Sequence, residues 1–291
     1  MINRGANEMS EIKIRKISIT DLDADCIVNA ANDRLAAGGG VCGAIFRAAG
    51  YAELTDACDA IGHCPTGSAV ITPGFRLKAK YIIHAVGPIW YRGDHGEPEN
   101  LYSCYQQSLK LAMEYGCHSI GFPLISAGIY RYPIMLAWMI AIRACRDYMQ
   151  DHVNRELQIT FCVLNDEIME LGNTLLSEMK TYFVTEDKRA ASNHTCYMEF
   201  QRGPYQDQCW LADSISIQDI LWDAFDLTKL FKAVIPNFDY YDTNAVTKAQ
   251  WEQIVKRCSK KGSLWNKVIA EAAPWVEQCF EEYDIFTIVG M

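Results

Sequence analysis

The chain has 291 residues, half of them hydrophobic, which is enough for a sizeable buried core in one large domain or two modest ones. Its formal net charge of −9 argues against general nucleic-acid binding, which needs a basic face, but leaves room for a dianionic small molecule held by a few N–H groups. No apolar run approaches the length of a membrane span and the first residues lack the apolar core of a signal peptide, so the expected location is the cytoplasm.

Residues 12–17 alternate apolar and polar like a half-exposed strand, and residues 25–28 form a more buried one. A connection from Asn29 to Ala37 leads into Gly38-Gly39-Gly40, which open a helix running to about Ala49. Val41, Ile45, Ala48 and Ala49 sit at helical spacing on that segment, so one face packs on a sheet. A short helix follows over 51–61, then strands over 67–72 and 81–85, a helix over 100–115 and a buried strand over 120–123. The loop 124–132 precedes a long helix from Pro133 to about Met149, a strand over 157–164 and a closing helix over 166–182. Strands alternating with helices predict a three-layer α/β/α sandwich around a mixed, mainly parallel sheet. Ligands of such sheets bind beyond the carboxyl ends of the strands, where both glycine-bearing loops fall.

Residues 186–194 are polar and aperiodic and read as a linker between a first domain ending at residue 185 and a mostly helical region, 195–291. There, residues 216–234 carry Ile217, Ile220, Leu221, Ala224 and Phe231 on one stripe, ended by Pro236. Thr247 with Gln250 makes a capping box for a helix bearing Trp251, Ile254, Val255 and Cys258, stopped near Gly262. Two further helical segments, 264–272 and 275–283, are split at Pro274. The tryptophans of this region (Trp210, Trp222, Trp251, Trp265, Trp275) suit a core better than a partner surface. Amphipathic helices that cannot bury their stripes alone imply docking, a protein partner or self-association.

The twelve cysteines read as reduced thiols, most of them small core residues. There is no CxxC pair and no second ligand pair at metal spacing beside His63-Cys64, so no metal and no cofactor are expected. A glycine triplet at a helix start has its own chemistry. The backbone can approach a ligand closely, and the free N–H groups of the first turn, with the positive end of the helix dipole, favour phosphate. Gly38-x-Gly40-x-x-Gly43 also matches the Rossmann fingerprint literally, but nine residues separate the strand from its first glycine and no acidic residue ends a strand about twenty positions later.

Residues 27–50, IVNAANDRLAAGGGVCGAIFRAAG, resemble the signature of the macro domain family. CPTGSAVITPGF (64–75), KYIIHAVGP (80–88) and SIGFPLISAGIYRYP (119–133) resemble its later blocks in the same order, and the likeness spans roughly residues 12–183. The resemblance implies ADP-ribose binding, with hydrolysis of ADP-ribose linkages or of O-acetyl-ADP-ribose in several subfamilies. It implies a diphosphate clamped between the N–H groups of Gly39, Gly40 and Val41 and those of Ser126, Ala127, Gly128, Ile129 and Tyr130. Asn32 would then contact the distal ribose, Tyr130 would lie beside that sugar, and the Asn29 amide would suit sugar hydroxyls or backbone anchoring.

Several positions depart from the family pattern. Cys42 stands where hydrolytic members carry Asp, and Phe46 where they carry His. Ser18-Ile19 replaces the block whose Asp meets the adenine amino group, and Leu164-Asn165 replaces an aromatic residue that stacks on adenine. Arg131 replaces a loop glycine, to pair with phosphate or to face solvent. Three functions follow: a slow hydrolase relying on Asn32 and the substrate's own phosphate, a non-catalytic reader of ADP-ribose whose C-terminal region contacts a partner, and a thiol enzyme with Cys42 as nucleophile.

Overall fold

Alternating strand and helix patterns in the first part of the chain produce the expected layered sheet. The computed structural model describes residues 11–153, 155–192, 196–259 and 264–290, and the chain divides into two compact units between residues 178 and 179. In the first unit the strands are β1 (Glu11–Lys16), β2 (Cys26–Ala30), β3 (Ala69–Pro73), β4 (Tyr81–Ala85), β5 (Ser119–Phe122) and β6 (Gln158–Val163). The helices are α1 (Gly40–Ala49), α2 (Tyr51–Ile61), α3 (Glu97–Glu114), α4 (Ile134–Asp151) and α5 (Asp166–Glu178). The strand order is β1-β6-β5-β2-β4-β3, parallel throughout except for the β3–β4 pair.

Two layers of side chains hold this sheet. Ile27, Ile45, Phe46, Leu54 and Ile82 gather on one face under α1 and α2. Tyr105, Phe122, Trp138 and Phe161 join through ring contacts on the other, under α3 and α4. Successive residues of β5 serve the two faces in turn, as a strand demands. Gly121 approaches Leu22 so closely that a Cβ would lie 2.4 Å from its side chain, while Phe122 points into the aromatic layer. Ten of the twelve cysteines are buried, among them Cys26, Cys104 and Cys145, and all twelve are free thiols. Among the described residues no helix is long and apolar enough to cross a membrane.

The second unit, expected to be mostly helical, holds its helices together with a sheet. It contains a five-stranded antiparallel sheet in the order β10-β11-β8-β9-β7, built from β7 (Phe183–Thr185), β8 (Tyr197–Arg202), β9 (Ile215–Gln218), β10 (Thr243–Thr247) and β11 (Ile285–Val289). Its helices are α6 (Glu186–Ala190), α7 (Asp219–Ala224), α8 (Leu227–Lys232), α9 (Lys248–Cys258) and α10 (Leu264–Glu282). The stretch expected as a linker is therefore ordered up to Ser192. β7 pairs with β9, and Arg189 binds Glu186 at 2.6 Å while lying 3.8 Å over the Trp210 ring. Residues 193 and 194 of that linker, and Gly262, lie outside the described residues.

The stripe at 216–234 is three elements rather than one helix. It begins as β9 and breaks again at Asp226, whose φ of 49° is left-handed. Helix α5 stops at Glu178, short of residue 182, and the Tyr182 N–H instead donates to Glu271 Oε1 at 2.7 Å. Helix α10 runs unbroken through Pro274, with Ala272 and Val276 on either side fully buried, so burial outweighs the one hydrogen bond that proline removes. The capping box at Thr247 and Gln250 forms in both directions. Trp222 is buried and stacks on Phe231 and Phe238, a core role. A chain ending at Glu178 is expected to fold cooperatively, because β7 belongs to the second unit's sheet. Circular dichroism melting checks this: a noncooperative melt would mean that the first unit is incomplete by itself.

Candidate functional site

The carboxyl ends of β1, β6, β5, β2 and β4 form one edge, and the candidate residues lie along it in that order. After β2, the Asn32 side chain organises its own loop. Its Oδ1 accepts the N–H groups of Arg34 (3.2 Å) and Ala36 (3.1 Å), and its Nδ2 donates to the Ala36 carbonyl (2.8 Å). One amide hydrogen of Asn32 is left for a ligand. Gly39 caps α1 with extended backbone (φ −83°), while Gly40 adopts φ 58°, a conformation that favours glycine. The N–H groups of Gly39, Gly40 and Val41, among the described residues, meet no loop or side-chain acceptor.

The second loop leaves β5 and enters α4. Ser126 and Arg131 both take left-handed backbone (φ 64° and 58°), a conformation that favours glycine. The Tyr132 N–H bonds the Ser126 carbonyl (3.1 Å), the Arg131 N–H bonds that of Gly128 (2.9 Å), and Ala127 donates weakly to Leu124 (3.4 Å). Among the described residues the N–H groups of Ser126, Gly128, Ile129 and Tyr130 are not used in this way. The two loops touch: a Cβ on Gly39 would lie 3.3 Å from Ile129 Cδ1. Gly87, after β4, lets Ser126 come close, since a Cβ there would lie 2.2 Å from its Oγ. That Oγ is buried without a hydrogen-bond partner.

Beneath the loops lies a buried polar chain. Asn29 is fully buried, and its Nδ2 lies 3.1 Å from His84 Nδ1 and 3.7 Å from Cys42 Sγ, so it anchors the site from below rather than facing the groove. His84 Nε2 lies 2.9 Å from Thr72 Oγ1. Cys42 is 5% exposed and its Sγ also reaches the Ala36 carbonyl at 3.9 Å. Among the described residues no base hydrogen-bonds the Cys42 thiol, which leaves a nucleophilic role without support. His84 is the residue that motif reading overlooked. Its signal was a histidine in the middle of an otherwise apolar strand, YIIHA.

Burial pushes the His84 imidazole down to about 4, from an ordinary 6.5. In the unfolded chain the ring gains a proton as pH falls through 6.5, while in the folded protein it stays neutral until about 4. Its contribution is therefore full above pH 6.5 and is lost across that window, by on the order of 3 kcal/mol. Urea unfolding measured from pH 7.5 downward is expected to reveal this loss, and His84→Gln to flatten the slope between pH 6.5 and 4. An unchanged slope in the variant would contradict the assignment.

At the β1–β6 end, Ser18 Oγ is engaged with Thr20 Oγ1 at 2.7 Å. The Ile19 side chain is in the core, which leaves only its backbone for the groove. Leu164 is 73% exposed, and Asn165 Oδ1 caps α5 by accepting the Ile168 N–H at 3.0 Å. Phe46, in place of a histidine, is buried under α1 and contributes no polar group. At the β4 end, Tyr130 is half-buried. Burial, then the nearby Asp33 carboxylate, raises its phenol above the ordinary range.

Comparison with known proteins agrees with this arrangement. The macro domain family model matches residues 28–141. A macro domain-containing protein of Chlorobaculum tepidum is 51% identical over 162 residues, covering 56% of this chain and 93% of that protein. A protein of Escherichia fergusonii named O-acetyl-ADP-ribose deacetylase is 46% identical over 173 residues, covering 58% of this chain and 97% of that protein. Among solved structures, the Oceanobacillus iheyensis macrodomain with ADP is 35% identical with a TM-score of 0.56, covering 60% of this chain and 93% of that one. With its four sequence blocks, its mixed sheet and relatives covered almost end to end, the chain belongs to the macro domain family.

Proposed function

We propose that the first unit binds ADP-ribose along this edge and slowly hydrolyses ADP-ribosyl or O-acetyl-ADP-ribose linkages. The diphosphate lies between residues 39–41 and 126–130, the distal ribose beside Asn32 and Tyr130, and adenine over Ser18, Ile19, Leu164 and Asn165. The observation that carries this reading is the contact between two loops, each ending in a helix start and each with unused N–H groups, at the carboxyl ends of adjacent strands β2 and β5. The similarity to a protein named O-acetyl-ADP-ribose deacetylase supports the reaction class.

In this mechanism the remaining amide hydrogen of Asn32 holds a water beside the distal ribose. The water oxygen adds to the acyl carbon of the ester, and its proton passes to an oxygen of the substrate's own phosphate. The acyl–oxygen bond breaks, and the proton is returned to the ribose alkoxide, so acetate and ADP-ribose leave. General-base assistance is worth about a hundredfold to ten-thousandfold, and Cys42 supplies none, so turnover is slow. Adenine adds little affinity, because Ser18 is uncharged and already bonded to Thr20, and Leu164 offers no ring.

Calorimetric titration with ADP-ribose, followed by a product assay on O-acetyl-ADP-ribose, tests both halves. Binding with release of acetate above the buffer rate is the expected result. Binding without any turnover would establish the non-catalytic reader that the Cys42 substitution favours. Absence of binding would overturn the reading altogether.

A further inference from the structure

Past the β4 end of the groove lies a cleft of about 390 Å³, lined by Asp33, Tyr91, His95, Glu97, Asn100 and Tyr130 together with the backbone that follows β4. Its lining contains two carboxylates and two tyrosines but no lysine or arginine. Among the described residues no cation pairs with Asp33. Glu97 is buried yet stays charged. Burial pushes its carboxyl up, but the N–H groups of Tyr91 (3.1 Å), Gly93 (3.1 Å) and His95 (2.6 Å) outweigh this and hold it below the ordinary range. The same bonds fix the loop that forms one wall. His95 Nδ1 lies 2.6 Å from Asp94, so that ring already has a carboxylate partner. Asp94, His95 and Glu97 bring ligand atoms within 4.8 Å of one another, but the Glu97 oxygens are already committed to the backbone.

The position of the cleft gives it a purpose. Asp33 follows Asn32 directly, and Tyr130 belongs to both the second loop and the cleft. On the ADP-ribose reading, on which this inference rests, the cleft is where the group attached to the distal ribose must go. A cleft that combines the exposed Asp33 carboxylate, to which no cation is paired among the described residues, with the buried Glu97 and two tyrosine rings suits a cation. We propose that it receives a lysine or arginine side chain of the peptide to which ADP-ribose is attached. The substrate class is then ADP-ribosylated protein modified next to a basic residue, in preference to a small neutral ester.

The test uses the full chain in EDTA at low salt, with two peptides carrying ADP-ribose through a hydrolysis-resistant sulfur linkage, one flanked by arginines and the other by glutamates. Calorimetry is expected to show roughly tenfold tighter binding of the arginine peptide, a preference that shrinks as salt is raised. Asp33→Asn is expected to bring the ratio below about threefold. A wild-type ratio within twofold, while free ADP-ribose binds, overturns this inference and leaves the proposed function standing. A ratio unaffected by Asp33→Asn, or one seen only when a divalent cation replaces EDTA, overturns the assignment to this cleft. If free ADP-ribose does not bind at all, the proposed function falls and this inference with it.

Discussion

Gly39→Glu is expected to abolish ADP-ribose binding while leaving the fold intact. Gly39 is exposed at the start of α1, and its φ of −83° is open to any residue, so the backbone accepts a side chain. The new Cβ would lie 3.3 Å from Ile129 Cδ1, the far end of a flexible and exposed side chain that can shift. The carboxylate would emerge between the two loops, where the diphosphate is proposed to lie. Like charges in such contact cost several kcal/mol, a loss of about a thousandfold or more in affinity. The melting temperature is expected to move by no more than about 2 °C, as for other surface substitutions. Calorimetry and thermal unfolding on the same preparation separate the two effects. Undiminished affinity in a folded variant would remove the phosphate clamp from consideration.

Cys42→Asp is expected to raise turnover by about a hundredfold to ten-thousandfold, the usual worth of a general base. Position 42 lies in the first turn of α1, buried, with Asn29 Nδ2 at 3.7 Å and the Ala36 carbonyl at 3.9 Å from its sulfur. A carboxylate there would accept the Asn29 amide and take a proton from the water proposed to sit beside Asn32. Burial would push its pKa up, toward the range where a base works at neutral pH. A thiol is a weak hydrogen-bonding group and offers neither service. Initial rates of acetate release compare the wild type with Cys42→Asp, Cys42→Ala and Asn32→Ala. Loss of turnover in Asn32→Ala is expected. If Cys42→Ala alone removes it, the thiol takes part directly and the mechanism above is wrong.

Much of the first unit could be read from local chemistry. The glycine triplet before an amphipathic helix, the second loop between a buried strand and Pro133, and the alternation of strands with helices are each encoded within about twenty residues. For that reason both loops are legible in the sequence. Their contact, and the support beneath them, are not. Asn29 looked like a ligand residue because its motif is local, yet register places it opposite His84 on β4, more than fifty residues on, and beneath Cys42. The cleft likewise exists only because segments following β2, β4 and β5 converge.

The second unit shows the other limit. Strands of three to six residues carry too few positions for their period to be told from a helix. Their partners are distant: β8 pairs with β11, and the Phe286↔Arg202 register spans more than eighty residues. Loops, caps and the sheet-facing helix are encoded locally, because they depend on backbone freedom and apolar spacing over a few turns. Tertiary structure alone decided which strands form the second sheet and which polar side chains are buried, because pairing and desolvation depend on residues that no local window contains.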